Sequence, residues 1–216
     1  MKALLTLLLV FLSITFVYAQ EEEDTYNCGW NKNLSVKERN TIFPFNKAKK
    51  VVLLAYPNHL FMIDNVNQDS LDIAGASKYY DSHVLNKWVI EHNDRKSIYF
   101  STEEVKLTGK GINKLSNLLF NYTTDKKLSG PITINVAGCY EPRNAMLFFD
   151  KNDEVIACIE ICFECNAVNV LKGESKFLDE AILEFRLDSD SCYDKHTLLR
   201  EFFIEQGIKF GAVTVD

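Results

Sequence analysis

Three cysteines occupy two neighbouring segments of the chain and have the spacing to act together. Cys139 begins the segment Cys-Tyr-Glu-Pro-Arg, and Cys162 and Cys165 form a Cys-Phe-Glu-Cys pair further along. The chain has six cysteines in total. Neighbouring thiols in proteins form disulfides, ligate metal ions or exchange disulfides with other thiols. The residue types and their spacing are compatible with all three kinds of chemistry.

Each kind of chemistry makes its own demand on these residues. A structural disulfide would join Cys139 to Cys162 or to Cys165, and this staple is our leading hypothesis. A zinc site would need a fourth ligand, because structural zinc takes four ligands; the candidates are Cys192, Cys28 and His196. A redox pair is favoured at a helix N-terminus, which stabilises the attacking thiolate. This pair instead ends a predicted strand and encloses Glu164, which disfavours disulfide exchange.

The element that positions these cysteines is a predicted β-hairpin. Apolar runs at 145–149 and 155–161 flank the polar turn at 150–153, a pattern typical of two antiparallel strands. Pairing Phe149 with Glu154 across this turn sets the register of the hairpin. The cysteines then lie at its open end.

This register predicts which side chains face each other. It places Arg143 opposite Glu160, as a cross-strand structural ion pair. It also places Cys139 opposite Glu164, and therefore close to the Cys162–Cys165 segment. The predicted hairpin would therefore bring Cys139, Cys162 and Cys165 together in space, as a cysteine cluster.

The alternation of a β-strand restricts which cysteines can join that cluster. Cys158 lies among apolar neighbours, four residues from Cys162, too far along a strand for a direct bond. We therefore expect Cys158 to be a buried thiol outside the cluster. Cys162 and Cys165 would point to opposite faces of a continuous strand, so their joint action requires a turn at Phe163-Glu164.

The beginning of the chain has the pattern of a secretory signal peptide. Lys2 precedes an apolar run, and Val17-Tyr18-Ala19 suits a signal peptidase. We expect residues 1–19 to be removed and the protein to be periplasmic or secreted, where disulfides persist.

The remainder predicts one domain behind a short leader. An acidic run predicts a flexible leader over residues 20–30, and residues 31–216 would form a single α+β domain. The formal net charge is −6, which argues against nucleic acid as a partner. No second apolar run approaches the length of a membrane span, so we expect no membrane contact after signal cleavage.

The periodicity of the chain predicts an α+β fold with a mostly antiparallel sheet and two main helices. The apolar run at 51–56 predicts a strand ended by a proline. Thr108 is the predicted N-cap of one helix, whose apolar residues recur at spacings of three and four. A capping box starting at Ser191 predicts the second helix, and Gly207 predicts its end.

The segments 139–145 and 159–165, with the sequences Cys-Tyr-Glu-Pro-Arg-Asn-Ala and Ile-Glu-Ile-Cys-Phe-Glu-Cys, resemble a pattern in exported proteins of Gram-negative bacteria. The last helix, with Phe202-Phe203 and Gly207-Ile208, is similar to the end of those chains. The resemblance implies a bacterial, exported protein. It implies no activity, because no function is assigned to that group.

From these patterns we expect a non-catalytic protein with a binding or structural role and a cysteine-stapled hairpin. We expect no cofactor, and the sequence identifies no binding partner. The alternative is a zinc-binding or thiol–disulfide redox module that uses Cys139, Cys162 and Cys165.

Overall fold

A computed structural model of the chain describes residues 27–57, 61–63, 86–92, 95–125, 141–170 and 192–213. Its helices are α1 (Val36–Arg39), α2 (Gly109–Asn121) and α3 (Tyr193–Glu205). Its strands are β1 (Cys28–Gly29), β2 (Lys50–Ala55), β3 (Phe61–Ile63), β4 (Asn86–His92), β5 (Arg95–Ser101), β6 (Glu103–Lys106), β7 (Thr123–Thr124), β8 (Asn144–Phe149), β9 (Val155–Cys162) and β10 (Ala167–Val170). The predicted α+β class with two main helices is confirmed.

The strands form one large sheet and two small ones. The main sheet has the order β10-β9-β8-β2-β6, and each neighbouring pair is antiparallel. A three-stranded sheet has the order β3-β5-β4, and β1 pairs with β7. These ladders confirm the predicted antiparallel sheet. Among the described residues, no helix is both long enough and apolar enough to cross a membrane.

Both faces of the main sheet are buried because β2, β8 and β9 are apolar at nearly every position. One face packs against α2 and α3, and its buried residues include Leu53, Met146, Phe148, Ile159, Leu119, Phe202 and Phe203. We call the opposite side the second face; its buried residues are Val52, Leu54, Tyr56, Ala145, Leu147, Phe149 and Cys158. Trp88 of β4 packs on this second face, with its ring centroid 5.2 Å from that of Phe149.

Helix α2 begins where its cap predicts. The Thr108 side chain accepts a hydrogen bond from the Gly111 backbone N–H at 3.3 Å, which satisfies one of the unpaired donors of the first turn. Leu115, Leu118 and Leu119 form its buried stripe. The predicted helix and its Thr108 N-cap are therefore confirmed.

Helix α3 ends as predicted but begins differently. Its N-cap is Cys192, which makes no side-chain capping bond, so the capping box predicted from Ser191 is wrong. At the other end, Gly207 has φ +103, and the Gly207 and Ile208 N–H groups donate to the carbonyls of Ile204 and Phe203, each at 3.0 Å. This is a Schellman ending, which favours glycine at the position with positive φ.

The predicted hairpin is present, but its register is wrong. Phe149 lies opposite Val155 instead of Glu154, and a bulge beside Phe148 shifts the remaining pairs by one more residue. The cause is the turn, where the Asp150 carboxylate accepts N–H bonds from Asn152 at 2.8 Å and Glu154 at 3.0 Å. Those bonds hold Glu154 within the turn, so the ladder starts one residue later than the polar run predicts.

The predicted boundary of the leader also needs correction. Residues 27–30 belong to the folded domain, because β1 pairs with β7 and the Asn27 N–H donates to Asp125 at 3.1 Å. The Trp30 ring also stands edge-on to Tyr122, with centroids 5.4 Å apart. The signal peptide and the rest of the leader, residues 1–26, lie outside the described residues.

A buried amide joins α2 to the segment before α1. The side chain of Asn121, 4% exposed, accepts the Leu34 N–H at 2.8 Å and donates to the Leu34 carbonyl at 3.0 Å. It also donates to the Asn117 side chain at 2.7 Å. Asn121 thereby binds the backbone of Leu34 as a neighbouring strand would. The Arg39 guanidinium adds bonds to Leu34 and to α2.

Candidate functional site

The cysteine pair lies at a tight turn between β9 and β10. Cys162 pairs with Ala167 across this turn, and Asn166 has φ +50, a left-handed conformation that asparagine tolerates well. The Cys165 backbone N–H donates to the Cys162 sulfur at 3.3 Å. The turn that joint action of the two cysteines requires is therefore present. Because the chain turns between Cys162 and Cys165, the alternation of side chains along a strand does not force them onto opposite faces.

Contacts with α3 hold this turn in place. The Phe163 side chain is 3% exposed, and its ring packs edge-on against Phe203 with centroids 5.5 Å apart. Arg200 donates to the Phe163 carbonyl at 2.5 Å, and its guanidinium lies 5.6 Å from the ring centroid. A buried aromatic anchor and a charge-assisted hydrogen bond restrict the motion of a short turn.

The predicted ion pair between Arg143 and Glu160 is wrong. In the observed register Ala145, not Arg143, lies opposite Glu160. The Arg143 guanidinium instead lies 3.7 Å from the Glu164 carboxylate and 3.8 Å from that of Glu141. The side chains of these two glutamates are more than half exposed, so each contact contributes less than about 1 kcal/mol to stability.

Glu160 points to the second face of the sheet, where it is fully buried. The Tyr56 hydroxyl donates to its carboxylate at 3.1 Å, and Tyr56 is itself fully buried. Such a pair joins the residue that follows β2 to β9, across the intervening strand β8. A buried carboxylate requires hydrogen bonds of this kind, since burial removes its contacts with water.

The pairing of Tyr56 with Glu160 was missed by the sequence analysis. Its one signal is a glutamate within the otherwise apolar run of β9. That signal indicates a buried polar contact without naming the partner.

Cys158 occupies the position predicted for it. It is a fully buried thiol on the second face, and burial, together with the charge of Glu160, raises its pKa well above the ordinary value. A thiol in such surroundings stays protonated and unreactive at neutral pH. The prediction that Cys158 is a buried thiol is confirmed.

The disulfide that the structure describes joins Cys28 to Cys192. Their Cα atoms are 5.7 Å apart, and the sequence separation is 164 residues. Both residues were candidates for the fourth ligand of a metal site, and their bond to each other removes them from that role. The bond ties β1 to the N-cap residue of α3.

The remaining metal candidates are not brought together within the described ranges. His196 is buried in α3 at 2% exposure. In the part of the chain that the structure describes, no three histidine, cysteine or acidic side chains are arranged to hold a metal ion. Cys139 lies outside those residues, so the zinc hypothesis and the staple at Cys139 stay predictions.

Comparisons of the chain with protein-family models, with curated proteins and with solved structures found no match. The resemblance to exported bacterial proteins therefore stays a prediction as well.

Proposed function

We propose that this is an exported, non-catalytic protein of binding or structural role, whose fold is held by disulfides. The observation that carries the proposal is the bond between Cys28 and Cys192. Structural disulfides persist in oxidising compartments outside the cytoplasm. A cross-link between distant parts of one domain stabilises the fold mainly by restricting the unfolded chain.

We propose that the predicted staple at Cys139 is a second disulfide, formed with Cys165 on oxidation, in addition to the described bond between Cys28 and Cys192. Cys165 is half-buried, whereas Cys162 is only 1% exposed and already accepts the Cys165 N–H. The contact between Arg143 and Glu164 shows that the chain entering β8 passes beside the turn. Cys139 precedes Arg143 by four residues, a span of at most about 14 Å. Of the two candidate partners of Cys139, Cys165 is the more exposed, which favours it.

This assignment leaves Cys158 and Cys162 as thiols, both almost fully buried. Folded protein should therefore resist alkylation. Unfolded, unreduced protein should take up one alkyl group at each of these two cysteines. The other four cysteines should react only after reduction.

The test uses protein isolated from the periplasm without reductant and alkylated in native and in denaturing buffer. Intact mass counts the alkyl groups, and peptide mapping identifies the linked cysteines. The expected map has Cys28 joined to Cys192 and Cys139 joined to Cys165. A Cys158→Ala variant, with one fewer alkyl group after denaturation, checks the count.

Two results would overturn the proposal. Alkylation of all six cysteines without reductant would exclude both cross-links. Zinc bound in stoichiometric amount after native purification, and lost on replacing Cys139, Cys162 or Cys165, would establish the metal-binding alternative instead.

A further inference from the structure

We propose that the exposed face of Trp30 stacks on the ring of a neutral sugar, which makes the N-terminal turn of the domain a saccharide-binding surface. The inference rests on the proposed function and deepens it, because it names the ligand class of an exported binding protein. We call the set Asn27, Trp30, Asn31 and Asp125 the Trp30 surface. All four of these residues are exposed.

Trp30 differs from the other aromatic residues in its exposure. It is 56% exposed, and it is the one exposed aromatic residue among those whose burial the structure describes. The other exposed large apolar side chains are on α1, on α3 and after α3, at Val36, Ile204 and Val213. A tryptophan offers a large, flat contact area with only two rotatable bonds, which suits it to recognition.

The Trp30 ring has a fixed orientation before any ligand binds. It stands edge-on to Tyr122, with centroids 5.4 Å apart and an interplanar angle of 84°. Tyr122 is 8% exposed, so this contact comes from the interior and leaves at least one indole face open. Nearby, Cys28 pairs with Thr124 and is bonded to Cys192. A ligand that binds an already ordered ring loses less conformational entropy.

The amides of the Trp30 surface are held in place as well. Asn27 donates to the Asp125 carboxylate through its backbone N–H and its Nδ2, each at 3.1 Å. The Asn31 Nδ2 donates to the carbonyls of Thr123 at 2.7 Å and Asn27 at 3.1 Å. Within the described residues, these bonds leave the Oδ1 atoms of both asparagines as acceptors. Sugar hydroxyls can donate to such oxygens.

An open indole face beside fixed amides matches the two sides of a pyranose. A ring with the configuration of glucose has C–H groups on its faces and hydroxyl groups around its edge. The C–H groups carry a small positive charge, which the negative face of an indole attracts. A sugar stacked on Trp30 would therefore direct its hydroxyls toward Asn27 and Asn31.

The charges near Trp30 favour a neutral ligand. Asp125 and Asp194 are exposed, whereas Lys32 is half-buried. Burial, and then the charge of Asp194, raise the pKa of Tyr122 above its usual value, so this carboxylate acts on the ring pair. Like charges repel, which disfavours acidic glycans and anionic lipids. Quaternary ammonium ions are typically enclosed by several rings, whereas Tyr122 is nearly buried.

The test is an NMR titration of the isotope-labelled mature chain with cellotetraose and with chitotetraose. The chain has two tryptophans, and Trp88 is the internal reference because its indole N–H donates to Glu104 at 2.7 Å. We expect either tetrasaccharide to shift the Trp30 indole signal, with a dissociation constant of about 1 mM, and to leave the Trp88 signal unchanged. Mannitol, which has hydroxyls but no ring face, should shift neither signal.

Matched variants separate ring stacking from general apolar contact. Trp30→Phe keeps a flat ring, and Trp30→Leu keeps an apolar side chain without one. Followed by the backbone amide signal of Asn31, binding should weaken about tenfold in Trp30→Leu and less in Trp30→Phe. The control Val36→Ala alters another exposed apolar residue and should bind as the wild type does. Equal binding by Trp30→Leu and the wild type would overturn the inference.

Titrations of the wild type do not depend on the folding of any variant. No shift of the Trp30 signal at millimolar tetrasaccharide would overturn the inference. A shift with tetramethylammonium or with phosphatidylglycerol vesicles alone, or with protein concentration alone, would assign the surface to a cation, a lipid or a second copy instead.

The disulfide map tests the proposed function separately. A map with the expected bonds and no saccharide binding would overturn this inference alone. Saccharide binding together with a different map would overturn the proposed disulfides and leave the Trp30 surface as a saccharide site.

Discussion

The amide of Asn121 offers a direct test of how the N-terminal segment is held to the helical layer. Asn121→Ala removes the two hydrogen bonds to the Leu34 backbone, at 2.8 and 3.0 Å, and the one to Asn117 at 2.7 Å. The Leu34 carbonyl keeps a bond from Arg39. The Leu34 N–H loses the side-chain oxygen to which it donates. The loss of stability therefore comes mainly from this buried donor.

The magnitude follows from the number and burial of these bonds. A hydrogen bond contributes about 1 kcal/mol net, and a buried donor left without a partner costs about 1–3 kcal/mol. Asn121 is 4% exposed, so water replaces the lost amide poorly. We expect the free energy of unfolding to fall by about 3 kcal/mol, which lowers the urea midpoint by about 1–2 M.

Urea unfolding followed by circular dichroism measures this difference. The matched control is Asn117→Ala, which removes one of the three bonds and should cost about 1 kcal/mol. The reasoning would be refuted if Asn121→Ala unfolded within about 0.5 kcal/mol of the wild type, or if the control cost as much.

Three other substitutions test separate features. Replacing Cys28 and Cys192 by alanine should lower the free energy of unfolding by about 5 kcal/mol, because their bond spans 164 residues; an unchanged urea midpoint would contradict this. Burial raises the pKa of Cys158 above its ordinary 9.0, so the folded state keeps a proton that the unfolded chain loses at high pH. Above about pH 9 the wild type should lose stability relative to Cys158→Ala, by up to about 1.4 kcal/mol per pH unit, and parallel curves from urea unfolding at pH 7–11 would count against it. Gly211 has φ +69, and an added Cβ would lie 2.7 Å from two side-chain atoms at the start of β8. Gly211→Ala should therefore cost about 2 kcal/mol in urea unfolding, whereas Gly109→Ala, with no atom within 4 Å, should cost nothing, and equal effects would exclude the steric explanation.

The elements that depend on local chemistry could be predicted from the sequence. Thr108 before an apolar stripe predicts α2 because a cap and a helical period act within a few residues. Gly207 predicts the end of α3 for the same reason, since the left-handed ending is a property of that position alone. Local rules were sufficient at these two helix ends, where a single residue type decides the backbone conformation.

The hairpin register shows where such rules fail. The polar run after Phe149 predicts a turn, but it does not predict that the Asp150 carboxylate binds the Glu154 N–H. That bond and the bulge beside Phe148 move every later pair. The turn contact and the bulge together decide that Ala145 faces Glu160, and the predicted Arg143 contact failed with them.

Contacts between segments that are distant in the sequence could not be predicted from local patterns. Six cysteines allow fifteen complete pairings, and nothing in the spacing distinguishes the bond between Cys28 and Cys192. The partner of Glu160 is likewise a tyrosine 104 residues away. The contact between Tyr56 and Glu160 depends on how strands β2, β8 and β9 are ordered in the sheet, which the local pattern does not specify.

The position of β2 in the main sheet governs the order in which the chain can assemble. Its neighbours are β6 and β8, and its pairing with β8 joins Leu53 to Met146. Until residues 144–149 have been synthesised, this apolar strand has an open edge, which can associate with other chains. Contacts this distant in sequence also slow folding. Truncation before residue 144 should therefore yield aggregates instead of a smaller folded domain.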